Sequence, residues 1–309
     1  MYDVIILGGG PAGLCAGIYA KRAMLNCVVV EKIPFGAGQI TESERVDNYL
    51  GLLGESGFEL GNKFRNHAKS LGVEFYTGNA VKIISNDNGY SIVMADKSEI
   101  SARTIIYALG ANRRKLEVSG EQQFTGKGVS YCAVCDGAFY KDKTVVVAGG
   151  GDTAVGDAIL LSKFAKKVYL VHRRNQLKAS NSLQQQLKEL NNVSFQLNSS
   201  ITEIIGDNKV TAVKINTDIG EKLIKTDGVF IAVGTKPMSD LLKGIVQMDD
   251  NGYVIADETG VTTAKGIFVA GDVRTKDFRQ LITAVADGAN CAYSAEKYLE
   301  NKRATLHVN

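Results

Sequence analysis

The sequence lacks most features that mark membrane, metal-binding or nucleic-acid-binding proteins. It has no tryptophan, three prolines and three histidines in 309 residues, and its net charge is only +3. So weak and evenly spread an excess of positive charge does not favour nucleic acid or an anionic membrane as a partner. Low-complexity runs and long linkers are also missing. A chain of this length can fold as two domains.

The sequence shows no targeting segment. Its start, MYDVIILGGG, has no basic region and no cleavage site, and a glycine cluster interrupts its apolar stretch. We therefore expect neither a secretory signal nor a transmembrane helix. Three of the five cysteines, Cys15, Cys27 and Cys291, are isolated in apolar patterns, as expected of free thiols in a reducing compartment. These features predict a cytoplasmic protein.

Glycine is abundant, with 33 residues, and one glycine cluster opens a helical pattern near the start of the chain. Apolar strands at 2–7 and 27–31 flank this helix, and the turn has the spacing Gly8-x-Gly10-x-x-Gly13. Gly8 suits a tight turn, Gly10 lets backbone N–H groups approach a pyrophosphate, and Gly13 lets the helix pack closely on the strand. The pattern is typical of a βαβ unit that binds a dinucleotide, although an ordinary tight turn would also use glycine.

An acid, Glu31, ends the second strand of this unit. Its carboxylate can accept hydrogen bonds from a ribose 2′-hydroxyl, which favours an unphosphorylated adenosine such as that of FAD or NAD. Strand, glycine turn, helix, strand and acid together predict a dinucleotide site.

The same arrangement returns later in the chain, with the turn Gly149-x-Gly151-x-x-Ala154. Here the second strand is followed by HRR (172–174), with Lys178 shortly after. Guanidinium groups hold a 2′-phosphate by charge-assisted bonds, whereas a carboxylate would repel it. This unit therefore predicts an NADPH site, with a solvated basic strand end as the alternative.

The two units predict an α/β protein with two Rossmann-like dinucleotide-binding domains, each with three layers (ββα). The strand GIFVAGDVR (266–274) resembles nothing near the second unit, so we expect it to complete the first domain after an insertion. The predicted FAD-binding domain comprises 1–113 and 246–309, and the inserted NADPH-binding domain comprises 114–245. Asp272 could bond the ribityl chain of a flavin or cap a helix.

Cys132 and Cys135 form the only C-x-x-C pair in the sequence. A zinc site would need four ligands, and the chain has no second pair and only scattered histidines, so we predict no metal. A structural disulfide across so short a loop gains little in a reducing compartment. The pair is typical of a redox dithiol. Asp136 could supply and retrieve the thiol proton, or be a turn residue before Gly137.

The position of the pair, just before the second glycine unit, places it on the inserted domain. NADPH gives hydride, a disulfide accepts electrons through a thiolate, and flavin can do both. Nicotinamide and the disulfide must each approach the flavin, and a protein substrate must reach the thiols. We therefore expect the inserted domain to rotate about connections near 113–117 and 244–248.

Together these motifs resemble the low-molecular-weight, bacterial-type thioredoxin reductases along nearly the whole chain. The matching stretches are GGGPAG (8–13), GAGQI (36–40), VDNYLG (46–51), CAVCDG (132–137), GGGDTA (149–154), VHRR (171–174) and GIFVAGDVRTKDFRQLITAVADGA (266–289). The resemblance implies a homodimeric enzyme that passes electrons from NADPH via FAD to thioredoxin. It also implies that Cys135 faces the flavin, that Cys132 attacks the substrate disulfide and that Asp136 is the acid/base.

The resemblance further implies two sets of cofactor ligands. The residues implied for FAD are Gly8, Gly10, Pro11, Ala12, Gly13, Glu31, Lys32, Gly38, Gln39, Ile40, Asn48, Gly110, Asp272, Arg279, Gln280 and Leu281. The residues implied for NADPH are Gly149, Gly151, Asp152, Thr153, Ala154, His172, Arg173, Arg174 and Lys178.

The chain departs from the family at three places. Gly156 and Asp157 stand where a pair of glutamates is usual, Lys178 replaces an arginine, and Leu109 replaces a threonine. Lysine keeps the charge but loses the planar fork, so we expect a softer preference for NADPH over NADH. Three alternative functions share the same build: reduction of another protein acceptor, use of NADH or ferredoxin as donor, and a flavin redox sensor.

Overall fold

The computed structural model describes residues 1–34, 36–43 and 45–307, without the side chains of 305–307. The chain divides into two compact units, one formed by Met1–Asn112 together with the part from Lys236 onward, the other by Arg113–Thr235. The α/β class predicted from the sequence is confirmed, because both units are built on parallel strands with helices packed on them.

The second boundary follows Thr235, earlier than the one predicted after position 245. The intervening segment packs in the first unit instead. The Tyr107 hydroxyl donates to the Met238 carbonyl oxygen at 2.6 Å, and Leu242 is fully buried in that unit's core. The first boundary lies before Arg113, one position earlier than predicted. The last two residues of the predicted second FAD-binding part, 308 and 309, lie outside the described residues.

The described strands, numbered in chain order, are β1 (Tyr2–Leu7), β2 (Cys27–Glu31), β3 (Glu74–Thr77), β4 (Ala80–Asn86), β5 (Gly89–Met94), β6 (Glu99–Tyr107), β7 (Ala111–Arg113), β8 (Val129–Ser130), β9 (Thr144–Ala148), β10 (Lys167–Val171), β11 (Val193–Gln196), β12 (Ser200–Gly206), β13 (Val210–Thr217), β14 (Gly220–Lys225), β15 (Gly228–Ile231), β16 (Thr235–Pro237) and β17 (Ile267–Val269). The described α-helices are α1 (Pro11–Arg22), α2 (Gly57–Ser70), α3 (Ala133–Asp136), α4 (Asp152–Ser162), α5 (Asn181–Lys188) and α6 (Leu281–His307).

The sheet of the first unit has the order β3-β2-β1-β6-β5-β4, with β17 also paired to β6. Strands β1, β2, β3, β6 and β17 pair in parallel, whereas β4 and β5 form an antiparallel extension. Val4 and Ile6 face a core shared with α1 and α6, while Ile5 and Leu7 face a second core on the opposite side. Because both faces are covered, the buried residues 4–7 of β1 are all apolar.

The second unit has a fully parallel sheet of order β11-β10-β9-β15-β8. Val145 and Val147 of β9 face α4 and α5, whereas Val146 and Ala148 face the antiparallel strands β12, β13 and β14. Helices, parallel sheet and antiparallel sheet form the three predicted layers. Strands β7 and β16 pair with each other where the chain passes between the units. Among the described residues, no helix has both the length and the apolar composition needed to cross a membrane.

Candidate cofactor sites and redox centre

The first glycine turn lies between β1 and α1, where the parallel strands end. Gly8 has φ +109°, and a side chain there would overlap the Ala108 carbonyl oxygen. A Cβ at Gly13 would overlap the carbonyl oxygen of Gly8, so α1 packs directly on the turn. At Gly10, by contrast, a Cβ would meet no atom closer than 3.7 Å. Two glycines therefore build the turn, whereas a Cβ at Gly10 would make only an ordinary van der Waals contact with Gly38. Gly10 lies at the amino end of α1, which is a favourable place for a pyrophosphate.

Glu31 turns back towards this glycine turn. A Cβ at Gly9 would overlap its carboxylate, and Glu31 Oε2 accepts a hydrogen bond from Arg65 Nη1 at 3.0 Å. Arg65 is buried and also donates to the Gly36 carbonyl oxygen at 3.1 Å. Burial raises the pKa of Glu31, although the Arg65 cation opposes that rise. Sequence reasoning missed Arg65, because an isolated basic residue in an amphipathic helix carries no signal of the acid it meets.

Three further segments with predicted FAD residues meet the first glycine turn or one another. A Cβ at Gly38 would lie 3.0 Å from the Gly10 Cα, and one at Gly271 would lie 3.1 Å from the Ala12 Cβ. The Asn48 side-chain amide donates to Gln280 Oε1 at 3.0 Å, although the two residues are far apart in sequence. The structure thus brings together segments that the sequence only suggested as separate motifs.

Arg279 lies beside these segments. Its guanidinium group stacks 4.2 Å from the centre of the Tyr253 ring. Its Nε is buried and has no hydrogen-bond partner among the described residues. A buried donor of this kind is costly unless a ligand or water accepts from it. The arrangement therefore fits a polar group bound from outside the chain.

The remaining predicted FAD residues have simpler environments. Lys32 is exposed and lines a cavity of about 250 Å³ at the carboxyl ends of β1, β2 and β6, but Gly10 and Gly38 do not line that cavity. Gly110 has φ +73°, and its carbonyl oxygen accepts from Met238 N. The other members are Pro11 at the first position of α1, Gln39 and Ile40 in the 3₁₀-helix Gly38–Glu42, Asp272 in the 3₁₀-helix Gly271–Val273, and the half-buried Leu281 at the start of α6.

A buried ion cluster that the sequence did not reveal holds the Asp272 turn. Asp287, 2% exposed, accepts hydrogen bonds from Arg274 Nη2 at 2.8 Å and from Lys276 Nζ at 2.8 Å. Its Oδ2 also accepts from the backbone N–H of Gly271 at 2.8 Å. Asp287 on α6 therefore fixes the turn that presents Asp272. No local sequence motif predicts this cluster, because folding brings its members together.

The second glycine turn lies between β9 and α4. It has the same spacing as the first, but Ala154 replaces the third glycine. Gly149 has φ +148°, and a side chain there would overlap the Ala232 carbonyl oxygen. Ala154 is fully buried against Gly149. A Cβ at Gly151 would meet no described atom within 4 Å. Asp152 and Thr153, both exposed, form the first turn of α4. The open space at Gly151 again suits a pyrophosphate.

The His172 side chain packs against the second glycine turn, whereas the two arginines that follow it are exposed to solvent. Its ring lies against Gly150, where a Cβ would overlap it. Burial and the neighbouring cations lower the pKa of His172, so the ring is neutral at neutral pH, and its buried Nε2 has no hydrogen-bond partner among the described residues. Arg173 and Arg174 are exposed beyond it. Lys178 contacts the second glycine turn through its backbone N–H, which donates to the Gly150 carbonyl oxygen at 2.7 Å.

Cys132 and Cys135 are joined by a disulfide at the start of the short helix α3. Cys132 caps this helix, because its sulfur accepts from the Cys135 backbone N–H at 3.2 Å. Both cysteines are half-buried, and Val134 between them is exposed. The other thiols differ: burial raises the pKa of Cys15 and of Cys27 to about 11, which keeps them protonated. The expectation that these are free thiols is confirmed.

Two buried side chains before the cysteine pair were not predicted. Ser130 Oγ donates to Asp136 Oδ2 at 2.6 Å and accepts from the Cys132 backbone N–H at 3.0 Å. Glu121, buried, accepts from the hydroxyl of Tyr131 at 2.7 Å. Burial and the Glu121 carboxylate raise the pKa of Tyr131. The turn that carries the disulfide is therefore held by polar groups buried on its amino-terminal side.

The unusual pair Gly156 and Asp157 lies on α4. A Cβ at Gly156 would meet no atom of the described residues within 4 Å. Burial alone raises the pKa of Asp157 to about 6. Asp157 precedes Leu161 by one helical turn. Leu161 in turn lies against Gly137, which follows Asp136 in the sequence. The structure offers no reason for glycine at position 156.

Comparison with known proteins agrees with this geometry. The family model described as "Pyridine nucleotide-disulphide oxidoreductase" matches residues 2–288. The thioredoxin reductase of Bacillus subtilis is 43% identical over 310 residues, which cover 99% of this chain and 97% of the relative. The crystal structure of thioredoxin reductase from Streptococcus pyogenes superposes with a TM-score of 0.93 at 40% identity, covering 97% of this chain and 99% of that one. That of Lactococcus lactis thioredoxin reductase, described as the FR conformation, matches with a TM-score of 0.66 at 38% identity and covers 97% and 100% of the two chains.

The chain therefore belongs to the pyridine nucleotide-disulphide oxidoreductase family and, within it, to the thioredoxin reductases. Enzymes of this group are flavin-dependent oxidoreductases that use FAD and NADPH, the two cofactors expected from the sequence.

Proposed function

We propose that the protein reduces the disulfide of thioredoxin with electrons from NADPH, passed through FAD and the Cys132–Cys135 pair. One observation carries the proposal. The half-buried Cys132–Cys135 disulfide, at the start of α3, lies in the same unit as a glycine turn with space for a pyrophosphate. A second turn of the same kind lies in the other unit. Two dinucleotide turns and one disulfide are the parts that such an electron relay needs.

The residues of the first unit fit FAD. Gly10 and the amino end of α1 would receive the pyrophosphate, and Glu31, held by Arg65, would accept from the ribose hydroxyls. The buried Nε of Arg279 and the neighbouring Asp272 and Gln280 would contact the rest of the cofactor. When bound, FAD supplies the ability to take a hydride and to pass two electrons to a disulfide.

The residues of the second unit fit NADPH. Gly151 would admit the pyrophosphate, and the exposed Arg173 and Arg174 would bond the 2′-phosphate. His172 would act as a neutral partner under the turn, because its Nε2 lacks a partner among the described residues. Lys178 would add a positive charge without bidentate bonds.

The thiol steps follow from the geometry of the pair. In the reduced pair, the Cys132 thiolate attacks the thioredoxin disulfide, forming a mixed disulfide and releasing one thioredoxin sulfur, which takes a proton from water. Cys135 then gives its proton to the Asp136 carboxylate and attacks Cys132. This closes the Cys132–Cys135 disulfide and releases the second thioredoxin sulfur, which takes that proton from Asp136 and restores the carboxylate. Two electrons leave the pair and reduce one substrate disulfide.

The inserted unit would have to move between half-reactions, because it carries both the nicotinamide site and the disulfide. We place the moving connections at β7 and β16, where the chain crosses between the units. One solved relative, the thioredoxin reductase of Lactococcus lactis, is described in a named conformation, FR. We also propose a homodimer, as the family resemblance implies, and a location in the cytoplasm, in keeping with the free thiols.

A covalent cross-link between the units tests this motion. We expect a locked protein to keep its FAD and to lose thioredoxin turnover, because one fixed arrangement cannot serve both half-reactions. Turnover is measured before and after reductive release of the cross-link. Full activity in the locked state would refute the motion.

The function itself is tested by absorbance of the bound flavin. We expect NADPH to bleach the yellow protein and oxidised thioredoxin to restore its colour. Bleaching without reoxidation by thioredoxin would favour another protein acceptor. Failure of any pyridine nucleotide to bleach the protein would favour a redox sensor or ferredoxin as the donor.

Alanine at Gly151 should weaken NADPH binding without harming the fold. The backbone there is extended, so alanine fits, but the new methyl group fills the space intended for the pyrophosphate. We expect KM for NADPH to rise roughly tenfold or more, as for the loss of a charge-assisted hydrogen bond. Gly156→Ala is the matched control, since its methyl group also meets nothing, and it should stabilise α4 by about 0.5–1 kcal/mol with KM unchanged. Equal KM values for both variants would contradict the site.

Replacement of Arg173 and Arg174 by alanine should remove the preference for the 2′-phosphate. We expect KM for NADPH to rise roughly 10- to 100-fold while KM for NADH stays within about twofold, because only the phosphate bonds are lost. The control replaces Lys163 and Lys166, which are exposed between α4 and β10, at the opposite end of β10 from Arg173 and Arg174. A parallel rise of both KM values would point to damage of the turn instead.

A further inference from the structure

Ser130 occupies a rigid position directly before the redox pair. It is the last residue of β8, is 6% exposed, and pairs with Phe230 of β15 in the central sheet. From there its hydroxyl reaches both ends of the turn that carries the disulfide: it accepts from the Cys132 N–H at 3.0 Å and donates to Asp136 Oδ2 at 2.6 Å.

The Ser130 hydroxyl has a single proton, and the acceptor of this proton decides the direction of the bond between Ser130 and Asp136. Two acceptors compete for this proton among the described residues, the Asp136 carboxylate at 2.6 Å and the Cys132 carbonyl oxygen at 3.4 Å. Hydrogen bonds to a charged carboxylate are shorter and stronger than those to a neutral carbonyl. The proton of Ser130 therefore goes to Asp136, and the Cys132 N–H uses a lone pair of the same oxygen.

A hydrogen bond donated to a carboxylate favours its charged form. In the proposed thiol steps, only that charged form can take the proton of Cys135. The Asp136 backbone N–H also donates to the Cys132 carbonyl oxygen at 3.1 Å, so the acid is tied to the pair at two points. Loss of the hydroxyl would remove this bond between the carboxylate and the last residue of β8 while leaving the backbone bond in place.

We infer that Ser130 is a positioning residue for thiol proton transfer, which fixes the Asp136 carboxylate beside the redox pair and keeps it ready to accept a proton. The inference rests on the proposed function, because it assumes that Asp136 exchanges protons with the pair. Ser130 acts through Asp136 and does not itself exchange the proton.

The test measures single-turnover reduction of thioredoxin by the pre-reduced holoenzyme as a function of pH. For Ser130→Ala we expect the rate to fall several-fold and the midpoint of the Asp136-dependent limb to move up by about 0.5–1 pH unit. Ser130→Thr keeps the hydroxyl and should return the midpoint to the wild-type value. Ser199→Ala is the control, because Ser199 is a buried serine of the same unit that bonds the Leu197 carbonyl oxygen.

Two further results would overturn the inference. An unshifted midpoint in Ser130→Ala would show that the hydroxyl does not act on the carboxylate, and a shifted midpoint in Ser130→Thr would show that volume matters instead. The threonine variant alone decides if the alanine variant does not retain FAD. In an Asp136→Asn background, Ser130→Ala should cause no additional shift. If Asp136→Asn itself leaves the pH profile unchanged, the role assigned to Asp136 fails, independently of Ser130.

Discussion

Serine at either Cys132 or Cys135 should lower thioredoxin reduction by roughly three orders of magnitude or more. Cys132 attacks the substrate disulfide and Cys135 then closes the Cys132–Cys135 disulfide, so neither sulfur can be lost without breaking the cycle. Bleaching of the flavin by NADPH should persist in both variants, because the glycine turns are untouched. The rate is measured by thioredoxin-coupled thiol production with saturating NADPH.

Cys15 provides the matched control for this result. It is a free cysteine on α1, and burial raises the pKa of its thiol to about 11. Cys15→Ala removes a thiol without touching the redox pair and should keep activity within about twofold of wild type. Comparable losses in all three variants would mean that the effect comes from the fold and not from the pair.

The second large effect is expected at Asp287. Alanine there leaves Arg274 and Lys276 as buried cations without their shared acid, and removing one partner of a buried ion pair typically costs about 3–5 kcal/mol. The loss is large compared with a whole-protein stability of about 5–15 kcal/mol. The Gly271 N–H would also lose its acceptor, so the Asp272 turn should loosen and FAD should dissociate more readily. Urea unfolding and the flavin-to-protein absorbance ratio measure the two effects.

The control for Asp287 is an ion pair on the surface of the same helix. Lys297 and Glu300 lie one turn apart and both are about half exposed, so Glu300→Ala should cost no more than about 0.5 kcal/mol. Similar unfolding midpoints for Asp287→Ala and Glu300→Ala would contradict the role assigned to the buried cluster.

Local sterics explain why the glycine turns could be predicted from sequence. Gly8 and Gly149 both adopt positive φ, and a side chain at either would overlap a carbonyl oxygen of a neighbouring strand. The spacing to Gly13 or Ala154 follows from one turn of helix packed on that strand. Such requirements act within a few residues, so they leave a readable pattern. The C-x-x-C pair is local in the same sense.

The supporting side chains could not be predicted because their partners are distant in sequence. Arg65 meets Glu31 across the sheet edge, and Asp287 meets Gly271 through α6. A single buried charge has no period or spacing that distinguishes it from an exposed one. His172 shows the converse, because its place in a basic run suggested a phosphate ligand although burial turns it under Gly150.

The compact units divide the chain earlier than the predicted domain boundary after 245 for a similar reason. The segment that follows Thr235 has its contact with Tyr107 and its buried Leu242 in the first unit. Long-range packing determines the boundary, and the amino-acid composition of the segment does not indicate this packing.

The most direct test of the electron path is an anaerobic titration of the oxidised holoenzyme with NADPH. If flavin and disulfide are joined in one relay, full reduction should consume about two equivalents of NADPH, since each centre takes two electrons. A variant with serine at both Cys132 and Cys135 should consume about one. Equal consumption by the two proteins would contradict electron transfer from the flavin to the cysteine pair.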